Sequence, residues 1–438
     1  MRIRMYNGRI LTMEKENGQL KEWFFGEVWI KEHEIENVIC YDSHKKELVE
    51  ETFDKEIDVK GNLLMPGFKN AHAHAPMTFL RSYADDVPLH QWLYEKVFPM
   101  EARLLPEDMK WLSKLAIMEY VTSGITSSFE MYLNLDMLAQ AAIETGFRMV
   151  LCGPINSQFG TAKEAVSKLK DWYDKYSGGK YNDLVSMQLG FHAEYTTPKE
   201  MLEEIAILAR EKKAPVYTHN SETKSEVLEC INRYQMTPTK YFDSIGMFEY
   251  GGGGFHCNYL TEEDMDIFKE KGLYAITNPA SNVKLASGIA PLMRMSEKGI
   301  SLAIGTDGAA SNNCLDIFKE MFLVTGLQKI ATEKAEAMDS DIVLEMATIK
   351  GAEAMGLENC KTISKGQLAD IIVLDLQQPN MQPIHNIKKN IVYSGSKQNV
   401  LLTMVNGKIL YHNGKFFIGI EKEEVYEMAN KIAKRCQL

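Results

Sequence analysis

Two histidines separated by one residue, His72 and His74 in "NAHAHAPMTFLRSYADD", follow directly on an apolar run closed by Pro66-Gly67. In an extended segment side chains alternate with a period of two, so both imidazoles project to the same side and can grip one ion together. Imidazole suits zinc, iron and nickel, and a catalytic site needs about three protein ligands with one position left open. His219 in "APVYTHN" is a candidate third ligand and Asp307 in "SLAIGTDG" a candidate fourth. Each has an ordinary alternative: an isolated H-x-H in a solvated loop, a hydrogen-bonded histidine at a strand end, an Asp-Gly turn. Glu222 follows His219 in "THNSET". Strand periodicity puts the two on opposite faces, so they converge only if the chain bends after His219. Glu222 then either carries protons beside the ion or supplies negative charge at a helix N-terminus.

The elements that must hold these residues are legible as a repeat. Between residues 61 and 357 short apolar runs alternate with longer amphipathic ones such as "LLPEDMKWLSKLAIMEYVTSG" and "PKEMLEEIAILAREKKA". Eight runs read as strands: "NLLMPGFKNAHAH", "SGITSSFEMY", "RMVLCGP", "SMQLGFHAEY", "APVYTHN", "GGGGFHCNY", "LYAITNP" and "SLAIGTDG". Strand-then-helix order over such a length predicts a (β/α)8 TIM barrel, with a doubly wound open sheet as the alternative. Gly251–Gly254 precedes its strand, which argues against a phosphate cradle. Of the ten histidines, His72, His74, His192, His219 and His256 fall at or just beyond the C-terminal ends of proposed strands. In a barrel that is the face on which active sites assemble.

Residues 1–60 and 358–438 carry short strand-like runs and an Asn-Gly pair each, Asn7-Gly8 and Asn406-Gly407, both read as hairpin turns. They predict one small β-sandwich domain built from both chain termini, with the barrel inserted at 61–357. "YADDVPLHQWLYEKVFPMEARL" places Asp85, Asp86, Trp92 and Glu101 in a long segment after the H-x-H strand, read as a lid over a planar apolar ligand or as a solvated loop. In "TNPASNVKLASGIAP", Asn278, Ser281 and Asn282 either bind ligand or cap a helix.

Composition bounds the partners. The chain has 438 residues, 45% of them hydrophobic, and a formal charge of -11 with no basic cluster, which disfavours nucleic acid and favours a small molecule. Seven scattered cysteines without a C-x-x-C pair suggest neither a disulfide framework nor a thiolate zinc site. No run reaches the length of a membrane span, and the charged start "MRIRMYNGRILTMEKENGQ" shows no signal-peptide pattern, so a cytoplasmic protein is expected.

The segments "MPGFKNAHAHAPMTFLRSYADDVPLHQWLYEKVFPMEARL", "FHAEYT", "THNSET", "FHCNYL" and "NPASNVKLASGIAPLMRMSEKGISLAIGTDGAASNNCLDIFKEM" occur in an order that resembles the amidohydrolase superfamily. The likeness is to its branch of methylthioadenosine/S-adenosylhomocysteine deaminases and chlorotriazine hydrolases. It implies a barrel with a flanking β-sandwich, a homo-oligomer, and one divalent metal ion, zinc or else iron, on His72, His74, His219 and Asp307. Glu222 and His256 would flank the hydrolytic water, Asp307 accepting its proton, Glu222 protonating a ring nitrogen and His256 stabilising the charged intermediate. His192 and Glu101 would contact a nucleoside, Glu101 at the ribose hydroxyls, with Trp92, Ser281 and Asn282 as further substrate contacts. Two-metal relatives carry a lysine at the end of the fourth strand, where "QLGFHAEY" has none. Relatives that take S-adenosylhomocysteine hold its carboxylate with arginines, and residues 153–179 contain none. The expected reaction is deamination of an adenine nucleoside, preferably without a carboxylated tail. Alternatives are an amino- or chlorohydrolase of a triazine, guanine or pterin, and a non-catalytic scaffold barrel.

Overall fold

The structure is a computed structural model describing residues 1–41, 51–178, 181 and 183–437. Eight parallel strands follow one another around a barrel in chain order: β1 Phe68–Ala73, β2 Ile125–Met131, β3 Arg148–Cys152, β4 Val185–Ala193, β5 Val216–Asn220, β6 Gly252–His256, β7 Tyr274–Thr277 and β8 Ser301–Ile304. Every strand candidate contributes one. Buried residues on both faces explain why they read as continuous apolar runs rather than alternating ones. Between β8 and β1 the seam is made largely by side chains. Asn70 accepts from the Thr306 amide and donates to its hydroxyl, both at 2.8 Å, and the Asp307 amide donates to the His72 carbonyl at 3.0 Å.

The barrel interior is packed with Ala71, Phe129, Val150, Tyr217, Phe255 and Ile276, and Met355 and Leu357 belong to the same cluster. The candidate site residues stand at the opposite mouth, at the strand C-termini. The intervening helices begin where side chains can satisfy free amides: Asn134, Thr161, Thr223 and Thr261 each cap one.

Nine strands from the two ends form a second sheet. Its path runs from Lys415–Phe416 through Lys408–His412, Val400–Val405, Ile371–Leu374, Leu63–Pro66, Arg2–Ile10 and Phe24–Lys31 to Glu34–Cys40, with Lys55–Asp58 also pairing with Arg2–Ile10. The run read as one strand, "NLLMPGFKNAHAH", is therefore two: Leu63–Pro66 joins this sheet, and the chain enters the barrel after Gly67. A side chain at Gly67 would collide with Thr126, so only glycine fits that crossing. Asn406-Gly407 makes the expected hairpin turn. Asn7-Gly8 does not: it lies inside Arg2–Ile10, where Asn7 takes a left-handed φ of 57° at a shift of register against Phe24–Lys31. The pair thus serves a β-bulge, which needs the same positive φ as a turn. The C-terminal helix Lys422–Gln437 returns to the barrel and packs on the helix Pro106–Thr122, where Arg435 bonds Asp108. Among the described residues no helix is long and apolar enough to cross a membrane.

Candidate active site

At the mouth of the barrel His72, His74, His219, Glu222, His256 and Asp307 are all buried and meet. The ring of His72 lies 4.7 Å from that of His74 and 4.9 Å from that of His219, and His74 and His219 are 5.4 Å apart. Ligand atoms of His72, His74 and His219 fall within 4.8 Å of one another, as do those of His72, His256 and Asp307. Asp307 Oδ1 stands 3.2 Å from His74 Nε2 and 3.6 Å from His72 Nε2.

The imidazoles are aimed by their other nitrogens. His74 Nδ1 bonds the Met131 carbonyl at 2.6 Å, and His219 Nδ1 bonds the His192 carbonyl at 2.7 Å. A carbonyl can only accept, so Nδ1 carries a proton in both rings and Nε2 is aimed at the centre. Burial works against a charged His74, but its bond to Asp307 raises the imidazole, and the Nε2 proton must leave before that nitrogen can ligate. Phe255 stacks on His72 at 3.8 Å and fixes that ring. Both ring nitrogens of His72 are buried without a hydrogen-bond partner, an arrangement that costs free energy in a bare protein and fits a bound cation. Burial and the adjacent His74 push the His72 imidazole well below its ordinary range. Burial works against ionisation of Asp307 too, yet its bond to His74 and the surrounding imidazoles hold its carboxyl well below the usual range. Neutral imidazoles and an ionised carboxylate are the states in which these groups ligate metals.

The chain bends at three places to bring these groups together. Ser221, His256 and Asp307 have left-handed φ values of 53°, 69° and 59°. Such conformations are strained for residues with a side chain and cluster where function requires them. The turn at Ser221 brings Glu222 round to the side of His219, as convergence demanded. Glu222 Oε1 accepts from Ser287 Oγ at 2.9 Å, and its Oε2 lies 3.8 Å from His256 Nε2. His256 Nε2 is also 3.9 Å from Asp307 Oδ2.

Ser281 and Asn282, expected at the substrate, bond two of the site residues. Ser281 Oγ donates to Asp307 Oδ2 at 2.6 Å, joined there by Ser311 at 2.9 Å, while Asn282 Oδ1 bonds His256 Nδ1 at 2.7 Å. Neither lines the cavity, because the helix Pro279–Lys284 turns their polar atoms back onto the two site residues. Asp85, read as part of a lid, is engaged at the surface by Lys284 and Asn313.

Above the centre opens a cavity onto which His74, His219, Glu222, His256 and Asp307 all face. Leu89, Trp92, Leu93 and Phe98 from the segment after β1 form part of its wall, and Glu101 stands on the same segment. Burial raises the Glu101 carboxyl to about 7, against the lowering effect of Tyr132. Burial and then His74 hold the His192 imidazole at about 3, so it is neutral. Asn156, Tyr195, Tyr132 and Leu285 also line the cavity and were not singled out in the sequence, where nothing in their type or spacing distinguishes them. An outer chamber, sharing Phe98, Asn156 and Tyr195, adds Tyr94, Ser157 and Gln158. No lysine or arginine is among the described residues lining either space.

The model of the amidohydrolase family matches residues 63–410, spanning both the barrel and the junction with the second sheet. The chain belongs to the amidohydrolase family. An amidohydrolase is a metal-dependent hydrolase, which the buried His/Asp cluster suits. This amidohydrolase is 36% identical over 425 residues to the 5-methylthioadenosine/S-adenosylhomocysteine deaminase of Caldicellulosiruptor saccharolyticus, covering 97% of this chain and 96% of that one. Its structure is similar to that of an adenosine deaminase from Xanthomonas campestris with bound zinc, with a TM-score of 0.91, 29% identity and coverage of 99% and 98%. The atrazine chlorohydrolase of Arthrobacter aurescens shares the fold, with a TM-score of 0.88 at 19% identity over 98% and 100% of the two chains.

Proposed function

We propose that the protein hydrolyses the exocyclic amino group of an adenine nucleoside, leaving the inosine analogue and ammonia. The observation that carries this reading is the convergence of His72, His74, His219 and Asp307 with Glu222 and His256 beneath a largely apolar cavity that holds Glu101. One divalent ion, zinc in preference to iron, is assigned to His72, His74, His219 and Asp307, where it would supply water acidified enough to attack at neutral pH. The absence of a lysine from β4 supports a single ion.

The remaining steps belong to the chain's own side chains. Asp307, held by Ser281 and Ser311, accepts the proton given up by the attacking water. Glu222 donates a proton to the ring nitrogen beside the amino-bearing carbon, drawing electron density from that carbon. It then takes the hydroxyl proton of the tetrahedral adduct and passes it to the departing amine as the oxo group forms, and the proton held by Asp307 returns to Glu222. His256, fixed by Asn282 between Glu222 and Asp307, stabilises the oxyanion as the carbon becomes tetrahedral. Trp92, Leu89 and Phe98 cover the planar base and exclude solvent, His192 contacts the nucleoside as a neutral imidazole, and Glu101 accepts from the ribose hydroxyls.

An outer chamber without a cationic side chain supports an uncharged 5' substituent. Adenosine, 5'-deoxyadenosine and 5'-methylthioadenosine are therefore preferred to S-adenosylhomocysteine, whose carboxylate would meet no lysine or arginine among the described residues of that chamber. The test is a parallel assay of the metal-loaded protein with all four, following adenine absorbance and ammonia, with His219→Ala and Glu222→Gln as controls. Turnover lost in both controls is expected. Silence on all four with metal bound would overturn the nucleoside reading and turn attention to guanine, triazines and pterins. Light scattering on the same preparation checks the homo-oligomer implied by the resemblance.

A further inference from the structure

The mechanism leaves a buried carboxylate unused. Glu226 stands in the first turn of the helix Lys224–Tyr234, three residues after its cap Thr223. Such a pair ordinarily exchanges two bonds, the glutamate accepting from the cap residue's own amide. Glu164 does this at the start of Ala162–Tyr176, accepting from the amide and hydroxyl of Thr161. Glu226 does more. Its Oε2 accepts from the amides of Glu222 at 2.7 Å and Thr223 at 3.3 Å, and its Oε1 accepts from the amide of Ser221 at 2.9 Å. Three successive amides thus point at one carboxylate that is only 4% exposed. They span the left-handed turn at Ser221, without which Glu222 would face away from His219. Elsewhere the Glu222 segment is held by Asn258, which donates to the Glu222 carbonyl at 2.9 Å, and by Ser287 on the carboxylate itself.

We infer that Glu226 is a positioning residue: its carboxylate gathers the amides of Ser221, Glu222 and Thr223 and so fixes the turn that swings Glu222 into the cavity. This rests on the proposed role of Glu222 as proton carrier. Helix capping alone would engage Thr223; the bonds to Ser221 and Glu222 are additional and act on the site.

The test begins with Glu226→Gln, which sets an NH2 group against amide donors while keeping the side chain's shape. With Glu222 displaced by a fraction of its width, kcat falls roughly 10- to 100-fold. Metal per chain and KM stay at wild-type values. Ser221→Gly adopts the left-handed turn without steric penalty, so the double variant recovers part of the lost kcat while Ser221→Gly alone stays active. A role confined to helix stability would show no such rescue. Hydrogen exchange of the amides of residues 221–223, faster in Glu226→Gln, reads the same contact without any substrate. If Glu226→Gln fails to fold, Glu226→Asp, one methylene shorter, takes its place in both measurements. Wild-type kcat in the variant, a loss explained wholly by lost metal, or unchanged exchange at residues 221–223 would overturn the inference. A wild-type protein silent on every nucleoside, with faster exchange in the variant, would overturn the proposed function and leave the positioning role standing.

Discussion

Asp370 joins the two sheets, and Asp370→Asn should expose how strongly. Its carboxylate accepts from Arg148 Nε and Nη2 at 2.7 and 2.9 Å and from the Asn406 amide at 2.8 Å, with Lys69 Nζ 3.6 Å away. Arg148 and Lys69 stand on barrel strands β3 and β1, whereas Asp370 precedes the second-sheet strand Ile371–Leu374, and all three are fully buried. An asparagine leaves the two cations without a counter-charge in the interior, a change that costs about 3–5 kcal/mol. With an unfolding entropy near 2.1 cal/mol/K per residue, this lowers the melting temperature by about 3–5 °C for a chain of 438 residues. Calorimetry of both proteins at pH 7 measures the shift. The difference also has a defined pH dependence. Burial alone would raise the Asp370 carboxyl, but Arg148 and then Lys69 outweigh it and hold the group below its ordinary range. A depressed folded-state value stabilises the protein fully above the unfolded carboxylate range, near 3.9, and the contribution is lost as pH falls through the folded value. The gap between the two proteins should therefore be flat from neutrality down to about pH 5 and close only in stronger acid. A shift smaller than about 1 °C at pH 7 would refute the reasoning, because the cations would then have found compensation elsewhere.

Other outcomes follow from the site. His72→Ala removes a proposed ligand whose ring nitrogens have no hydrogen-bond partner, so metal per chain by mass spectrometry should fall together with turnover, and chelation of the wild type should lower its melting temperature. Glu101→Gln, assayed above about pH 8 where a carboxyl raised to about 7 is ionised, should raise KM for ribosides about 10-fold or more, the value of a hydrogen bond to a charged group, and spare free bases. Ser281→Ala, which strips a donor from Asp307, should lower metal affinity or kcat by about 10- to 100-fold without touching substrate, as competition with a chelating dye and steady-state kinetics would register.

Much of the barrel was legible because strands buried on both faces must be apolar throughout, and helices between them must be amphipathic. The metal-site candidates were legible for a related reason: histidines recurring at strand ends have few structural explanations in common. Ser281 and Asn282 were located, but their bonds to Asp307 and His256 were not foreseen. A serine or asparagine after a strand has the same pattern whether it faces a ligand or a neighbouring side chain, and only the short helix Pro279–Lys284 decides between them. Asn7-Gly8 failed similarly, since a bulge and a hairpin require the same backbone freedom. Glu226 carries an ordinary capping signature in "SETKSE", which conceals the two extra amides it collects. The cavity wall is drawn from separate connections and becomes visible only once the strands are set side by side.

The seam of the barrel has a consequence for how the protein comes into being. His72 lies on the first strand and Asp307 follows the last, and the bond between their backbones helps close the ring. A chain emerging from a ribosome presents His72 and His74 early, yet their carboxylate companion arrives only after all eight strands have been made. A cation met before then finds imidazoles alone and an unfinished cylinder. On the proposed ligand set, coordination and closure of the cylinder would be completed by the same residue, and the protein would acquire its chemistry at the moment its architecture is finished.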